Sequence, residues 1–370
     1  MLSGEQTARL AAGLCDLFEA EELLLQLAAF SRDLFHELDT HGSYRTQSHN
    51  LVVLLDRRGL VGEFHEYLKR VPELRDRRAK LERLFRGAAT MVPALVDERC
   101  PYPGLLAFDL KDAEVFFGRD VEIDELLERV PSRRWISVEG PSGVGKSSLV
   151  RAGLLPSLPS TWTVLKMRPG THPWDSLVDA LWSALPDGQR PDRAAFRVDT
   201  GGLRHFVAMR SQRGLPTLLF VDQLEELQTF ADRQQAEQFS RALWRVLTED
   251  GLSFCLMTTI RSDQVESLVK KFSRLGTLLN RPWTVRYVVA PMEAEALLSA
   301  ITEPAHRRGV RLEPGLAEQI CDDALSHPGE SPGGSLPLVA HLLRELWFRC
   351  LGKDGLTHAA YRKLEGVEGR

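Results

Sequence analysis

The chain has 370 residues, 43% of them hydrophobic and 26% charged, with a formal net charge of −4. That length suits two or three domains, each able to bury its own core, and the weak net charge gives no global pull toward nucleic acid or an anionic membrane. No apolar run approaches the ~18 residues of a membrane span. The start Met1-Leu-Ser-Gly-Glu5 lacks the basic and apolar regions of a secretory signal, and the five cysteines (15, 100, 255, 321, 350) never fall in a C-x-x-C pair, so reduced thiols in a cytoplasmic protein are expected.

In chain order, residues 1–88 read as an all-helical bundle. Ser3 with Gln6 makes a capping-box pattern, and Leu10, Leu14, Leu17 and Phe18 recur at helical spacing. Leu23, Leu27, Phe30 and Leu34 mark a second helix, and a polar loop follows over 41–49. Leu51, Val52, Leu54 and Leu55 mark a third helix, closed near Gly59, and Val61, Phe64 and Leu68 a fourth, before Pro72. His36, His41, His49 and His65 have no Cys or Asp at ligand spacing and read as surface or packing residues. The basic run Arg75 to Arg86 is interrupted by acids and reads as a solvated helix, with nucleic-acid contact as the sharper alternative. Residues 89–110 suit a linker.

A second domain, 111–290, opens at Phe116-Phe-Gly-Arg-Asp120. Buried-strand patterns fall at Trp135 to Val138, Trp162 to Met167, Leu218 to Val221, Phe254 to Ile260 and Val285 to Val289, separated mostly by helices. Continuous apolar strands alternating with helices indicate an α/β fold, a parallel sheet covered on both faces. Such sheets bind ligands at the carboxyl ends of their strands, where Gly140, Asp222 and Arg261 lie. Residues 184–200 suit an exposed excursion. Helices resume over 291–352, after a glycine-proline segment at 332–337 in the last case, and 353–370 reads as the start of a further region that looks cut short.

The chemistry centres on Gly140, Pro141, Ser142, Gly143, Val144, Gly145, Lys146, Ser147 and Ser148, which read G-x-x-x-x-G-K-S between a strand and a helix. Glycines let backbone amides converge on an anion, and the helix adds the positive end of its dipole. Lys146 can then reach β- and γ-phosphates, and Ser147 can give its hydroxyl to a magnesium ion. Asp222, at the tip of an apolar strand, is costly to bury without a cation or donors, and the same magnesium supplies one. Glu225 and Glu226 follow with carboxylates able to orient or activate a water, although a helix start also explains them. Arg261 can sense a γ-phosphate or pair with Asp263. Arg119 can reach a nucleotide from the domain's opening.

Phe116 to Asp120, the phosphate loop, Phe220-Val-Asp-Gln-Leu-Glu-Glu226, Thr259-Ile-Arg-Ser-Asp263 and Gly334-Ser-Leu-Pro337 stand in an order that resembles the STAND NTPases, and the Asp-Gln-Leu-Glu-Glu form resembles their "novel STAND" branch. The resemblance spans about residues 101–370. It implies a P-loop NTPase that switches between ATP and ADP, with a helical lid over 291–352 and a winged helix beginning in 353–370. It also implies adenine contacts at Phe117, Gly118 and Arg119, a phosphate sensor at Arg261 and a lid contact at Pro337. The first 88 residues resemble effector-associated, death-like bundles, carried mostly by Leu51 to Leu68. That implies a signalling switch of bacterial defence or cell death that forms a homo-oligomer on activation and recruits an effector protein bearing a matching domain. Hydrolysis would be slow and would reset the switch. An AAA+-type motor or DNA-loading ATPase is the alternative.

Overall fold

In a computed structural model, five strands form one all-parallel sheet in the order β2-β3-β4-β1-β5. They are β1 (Trp135–Gly140), β2 (Thr163–Met167), β3 (Thr217–Val221), β4 (Phe254–Arg261) and β5 (Thr284–Val288). The structure describes residues 4–30, 38, 43–57, 60–85, 100–185, 201–326, 336–350 and 355–364. The chain divides into two units, Met1–Arg99 and Cys100–Arg370.

The sheet is apolar on both faces because successive residues of its strands face opposite ways. Leu219 and Val221 of β3 join Trp135, Leu256 and Ile260 in one cluster, beneath the helices Pro173–Ala184, Gly202–Ser211 and Arg233–Leu247. Leu218 and Phe220 join Ile136, Val138 and Met257 in the other, against the helix Asp120–Arg129 and the segment after the phosphate loop. Helices over Gly202–Ser211, Val265–Lys271 and Ser273–Leu279 were not anticipated; the last two are seven residues each, too short for a helical period to stand out.

A third cluster forms the lid, from the helices Ala294–Arg307, Leu316–Ser326 and Leu336–Arg349. Two segments join it against expectation. Residues 100–110 were expected to be linker, yet Tyr102 is buried in this cluster and its hydroxyl donates to the Ile301 carbonyl at 2.7 Å. Residues 355–364 were expected to open a separate region. Instead Leu356, Ala360, Tyr361 and Leu364 complete the lid core, and the Tyr361 hydroxyl donates to Asp323 at 2.6 Å. Both segments are short, and their apolar residues do not name their partners in the sequence, so only the tertiary contact reveals their place.

The N-terminal unit is helical throughout its described elements: Gly4–Leu17, Ala20–Phe30, Tyr44–Arg57, Val61–Arg70 and Arg78–Phe85, with a 3-10 turn over Pro72–Arg77. Leu10, Leu14, Leu23, Leu27, Leu51, Leu55, Phe64 and Leu68 share its core, matching the helical spacing of the sequence. His65 stacks on Phe85 at 4.5 Å inside that core, and His49 is exposed. Arg77, in the basic run, donates to the Leu17 carbonyl, pairs with Glu22 and lies over the Phe18 ring. The Ser3 cap, Leu34, His36, His41, Gly59, most of the 184–200 excursion and residues 332–335 lie outside the described residues. Among the described residues no helix is long and apolar enough to cross a membrane.

Candidate nucleotide-binding site

β1 ends at Gly140, and the chain turns at once into the phosphate loop. Gly143 and Gly145 have φ of 81° and 94°, left-handed backbone that favours glycine. Val144, between them, is buried in the core beneath and anchors the loop, while Ser142 and Gly143 stay exposed at its tip. A helix then starts at Lys146 and runs to Ser157, with a π-helical stretch over Leu149–Leu154. The positive end of that helix faces the loop. The Lys146 ammonium is buried and donates to the carbonyls of Gly140 and Pro141 at 2.9 and 2.6 Å. Burial pulls its pKa below the ordinary lysine value, and the Glu225 carboxylate opposes that fall. Ser148 turns away from the loop and accepts from the Phe108 amide at 3.1 Å.

Sheet register gathers the rest. β4 lies between β1 and β3, pairing Gly140 with Arg261 on one side and Val221 with Thr258 on the other. Asp222, one step past β3, therefore abuts Thr259. The Asp222 carboxylate is 3% exposed and fully engaged. Oδ1 accepts from Ser147 Oγ at 2.7 Å and Thr259 Oγ1 at 2.5 Å, and Oδ2 accepts from the Arg151 guanidinium at 2.6 Å. A hydroxyl and a carboxylate in contact beside a phosphate loop are the hard oxygen ligands that suit a small divalent cation, so Ser147 and Asp222 fit that ion.

After Asp222 the chain turns sharply. Gln223 takes φ 57°, a left-handed conformation uncommon for a residue with a side chain, and its amide donates to Thr259 Oγ1 at 2.8 Å. The two acidic residues beyond the turn then separate. Both oxygens of Glu226 are taken: Oε1 by Arg168 at 2.7–2.8 Å and Oε2 by the Gly170 amide at 2.9 Å. Glu225 Oε2 is buried and, among the described residues, has no hydrogen-bond partner. Burial pushes the Glu225 pKa up, offset in part by its own backbone amide and by Lys146. The Arg261 guanidinium pairs with Asp263 through contacts of 3.1 and 2.9 Å.

The lid closes on the loop itself. A Cβ built on Gly143 would lie 2.8 Å from the Pro337 ring, and one on Gly145 would lie 3.4 Å from Leu336. Gly143→Ala should thus cost about 1–2 kcal/mol from backbone strain alone, plus whatever displacing Pro337 adds; urea unfolding of the variant measures the sum. Phe117, Gly118 and Arg119 form a junction. Phe117 is half-buried, and Gly118, at φ 82°, passes so near the Ala296 carbonyl that a Cβ would lie 2.3 Å from it. Arg119 is buried, pairs with Glu122, and donates to the carbonyls of Val144 and Ala290 at 3.2 and 2.9 Å. Its guanidinium ties the loop to the start of the lid.

The family described as Novel STAND NTPase 1 matches residues 101–370, the whole second unit but for one residue. The chain belongs to this family. Its fold is similar to that of the ORC2 protein of Aeropyrum pernix, solved in ADPNP and ADP complexes, at 13% identity over 68% of each chain with a TM-score of 0.52. The Walker-type ATPase PABY2304 of Pyrococcus abyssi is 15% identical over 70% of this chain and 73% of its own, with a TM-score of 0.49. No curated protein matches the sequence.

In this STAND NTPase, sequence reasoning missed Thr259 and Arg151 as partners of Asp222. A threonine pair near the end of an otherwise apolar strand was the available signal for the first. For the second it was an arginine four residues after Ser147, on the same helical face. Glu139 was missed too: this buried acid at the end of β1 is held by Arg286 of β5 at 2.8 and 2.7 Å and by Ser137 at 3.0 Å.

Proposed function

We propose that the protein is an ATP/ADP-dependent signalling switch. ADP holds a closed form; ATP with magnesium opens it, the chain forms a homo-oligomer, and the clustered N-terminal bundles recruit an effector protein carrying a matching death-like domain. Bacterial defence or programmed cell death in the cytoplasm is the setting this suits. The observation that carries the reading is that the lid helix Leu336–Arg349 begins on the phosphate loop, with Pro337 against Gly143 and Leu336 against Gly145. That contact gives loop occupancy a direct route to lid position.

The residues divide the work. Lys146 leaves the Gly140 and Pro141 carbonyls for the phosphates. Arg261 exchanges Asp263 for a γ-phosphate, and Glu225 orients the water and takes its proton. Magnesium held by Ser147 and Asp222 would neutralise phosphate charge. Shifting an equilibrium from 1:99 to 99:1 needs about 5.5 kcal/mol of differential affinity, within reach of a few charged hydrogen bonds at roughly 1.5–3 kcal/mol each.

Turnover and assembly measured on one sample test the proposal. Expected are slow hydrolysis and a larger particle in light scattering with a non-hydrolysable ATP analogue than with ADP. Vigorous multiple turnover with an unchanged particle size would sink it, and hydrolysis stimulated by DNA would favour a DNA-loading motor.

A further inference from the structure

Arg151 has no part in the reading above, yet it holds the acid on which that reading's cation site depends. It stands four residues after Ser147, so one helix face presents two donors to Asp222: Ser147 to Oδ1 and Arg151 to Oδ2. The pair is shielded, with the Asp222 side chain 4% and the Arg151 side chain 28% exposed. The segment that carries Arg151 is pinned. It is π-helical over Leu149–Leu154, an irregularity common at functional sites. Within it Gly153 lies so close to its neighbours that a Cβ would meet Ile123 at 2.7 Å and Phe116 at 3.0 Å.

Charge follows from this geometry. Asp222 is matched by Arg151, and Lys146 feels the charges of Glu225, Arg261 and Asp263. These six groups, three cations and three carboxylates, sum to no net charge, and no Asp222 oxygen is left without a donor.

We infer that Arg151 is a positioning residue that gates the cation site. It cancels the Asp222 charge and occupies Oδ2, so a free divalent cation finds no net attraction, and the cation is held only together with the phosphates of a nucleotide. This rests on the assignment of the cation to Ser147 and Asp222. The gate orders the events: the cation cannot load the site in advance, and emptying the nucleotide empties both.

The test is titration of Mn²⁺ alone into the nucleotide-free full chain, followed by electron paramagnetic resonance. Wild type and Arg151→Lys, which keeps the charge, should bind Mn²⁺ weakly, and Arg151→Gln about tenfold or more tightly. Equal affinity in wild type and Arg151→Gln overturns the gate, as does an equal gain in Arg151→Lys. If Arg151→Gln does not fold, Arg151→Met keeps the stem and removes the charge. Adding Asp222→Asn to Arg151→Gln should erase the gain; a gain that survives comes from elsewhere and also overturns the gate. The underlying cation assignment has its own readout: Mn²⁺·ATP affinity unchanged by Asp222→Asn alone would remove that assignment, whatever Arg151 does.

Discussion

Glu225→Gln should lower nucleotide turnover by about two to four orders of magnitude, the usual worth of a positioned acid–base group, while nucleotide affinity stays within a few-fold. Single-turnover hydrolysis and equilibrium binding measured side by side give both quantities. The basis is the buried Glu225 Oε2, which has no hydrogen-bond partner among the described residues, on a carboxylate that feels the Lys146 charge. A buried carboxylate oxygen without a donor is costly, and such a cost persists where the group has work to do. Glu226→Gln should behave in the opposite way. Its carboxylate is saturated by Arg168 and the Gly170 amide, so the variant should lose about 1–3 kcal/mol of stability with its chemistry nearly intact.

The same burial sets a pH dependence. The folded-state pKa of Glu225 is raised above its unfolded value. Between those two values the native state binds more protons than the unfolded state, so this group's contribution to stability falls as pH rises through that window. Above it the penalty is complete. Glu225→Gln removes the ionisable group and should raise the midpoint of thermal unfolding at neutral pH. Turnover moves the other way, since only the ionised carboxylate accepts a proton: activity should decline as pH falls through the raised pKa.

Much of this was legible in sequence because the strands are mostly continuous apolar runs, the first helices are periodic, and the loop is a motif of fixed spacing. The five strands and the G-x-x-x-x-G-K-S loop announce themselves locally, and the loop requires a strand before it and a helix after it. What was not legible depends on register and on contacts far apart in sequence. Nothing near Thr259 says that β4 is inserted between β1 and β3, yet that insertion brings its hydroxyl to Asp222. Nothing near Glu225 and Glu226 distinguishes two adjacent acids; a left-handed Gln223 and the positions of Arg168 and Gly170 do. Tyr102 and Tyr361 look like connector residues until the lid core that both enter is assembled.

Lys146→Ala should abolish useful nucleotide binding without unfolding the chain. Two charge-assisted bonds to phosphate, each worth roughly 1.5–3 kcal/mol, correspond to an affinity loss of at least about a hundredfold. The cost to the fold is small for a specific reason. Burial holds the Lys146 pKa below its unfolded value, so at neutral pH the buried ammonium is a net burden, one that lifts only as pH rises from the lowered value toward the ordinary one. Losing the bonds to Gly140 and Pro141 offsets part of that gain, more at the buried Gly140 carbonyl than at the half-buried Pro141 beside exposed Ser142. Differential scanning fluorimetry with and without ADP separates binding from folding. At a hundredfold excess over Kd, ligand adds about 2.7 kcal/mol to the wild type, and this increment should vanish in the variant while its ligand-free midpoint stays close to wild type. On the proposed switch, assembly should vanish with it. If Lys146→Ala still oligomerised on addition of ATP, the lid would not be reading the phosphate loop, and the contact of Pro337 with Gly143 would be packing alone.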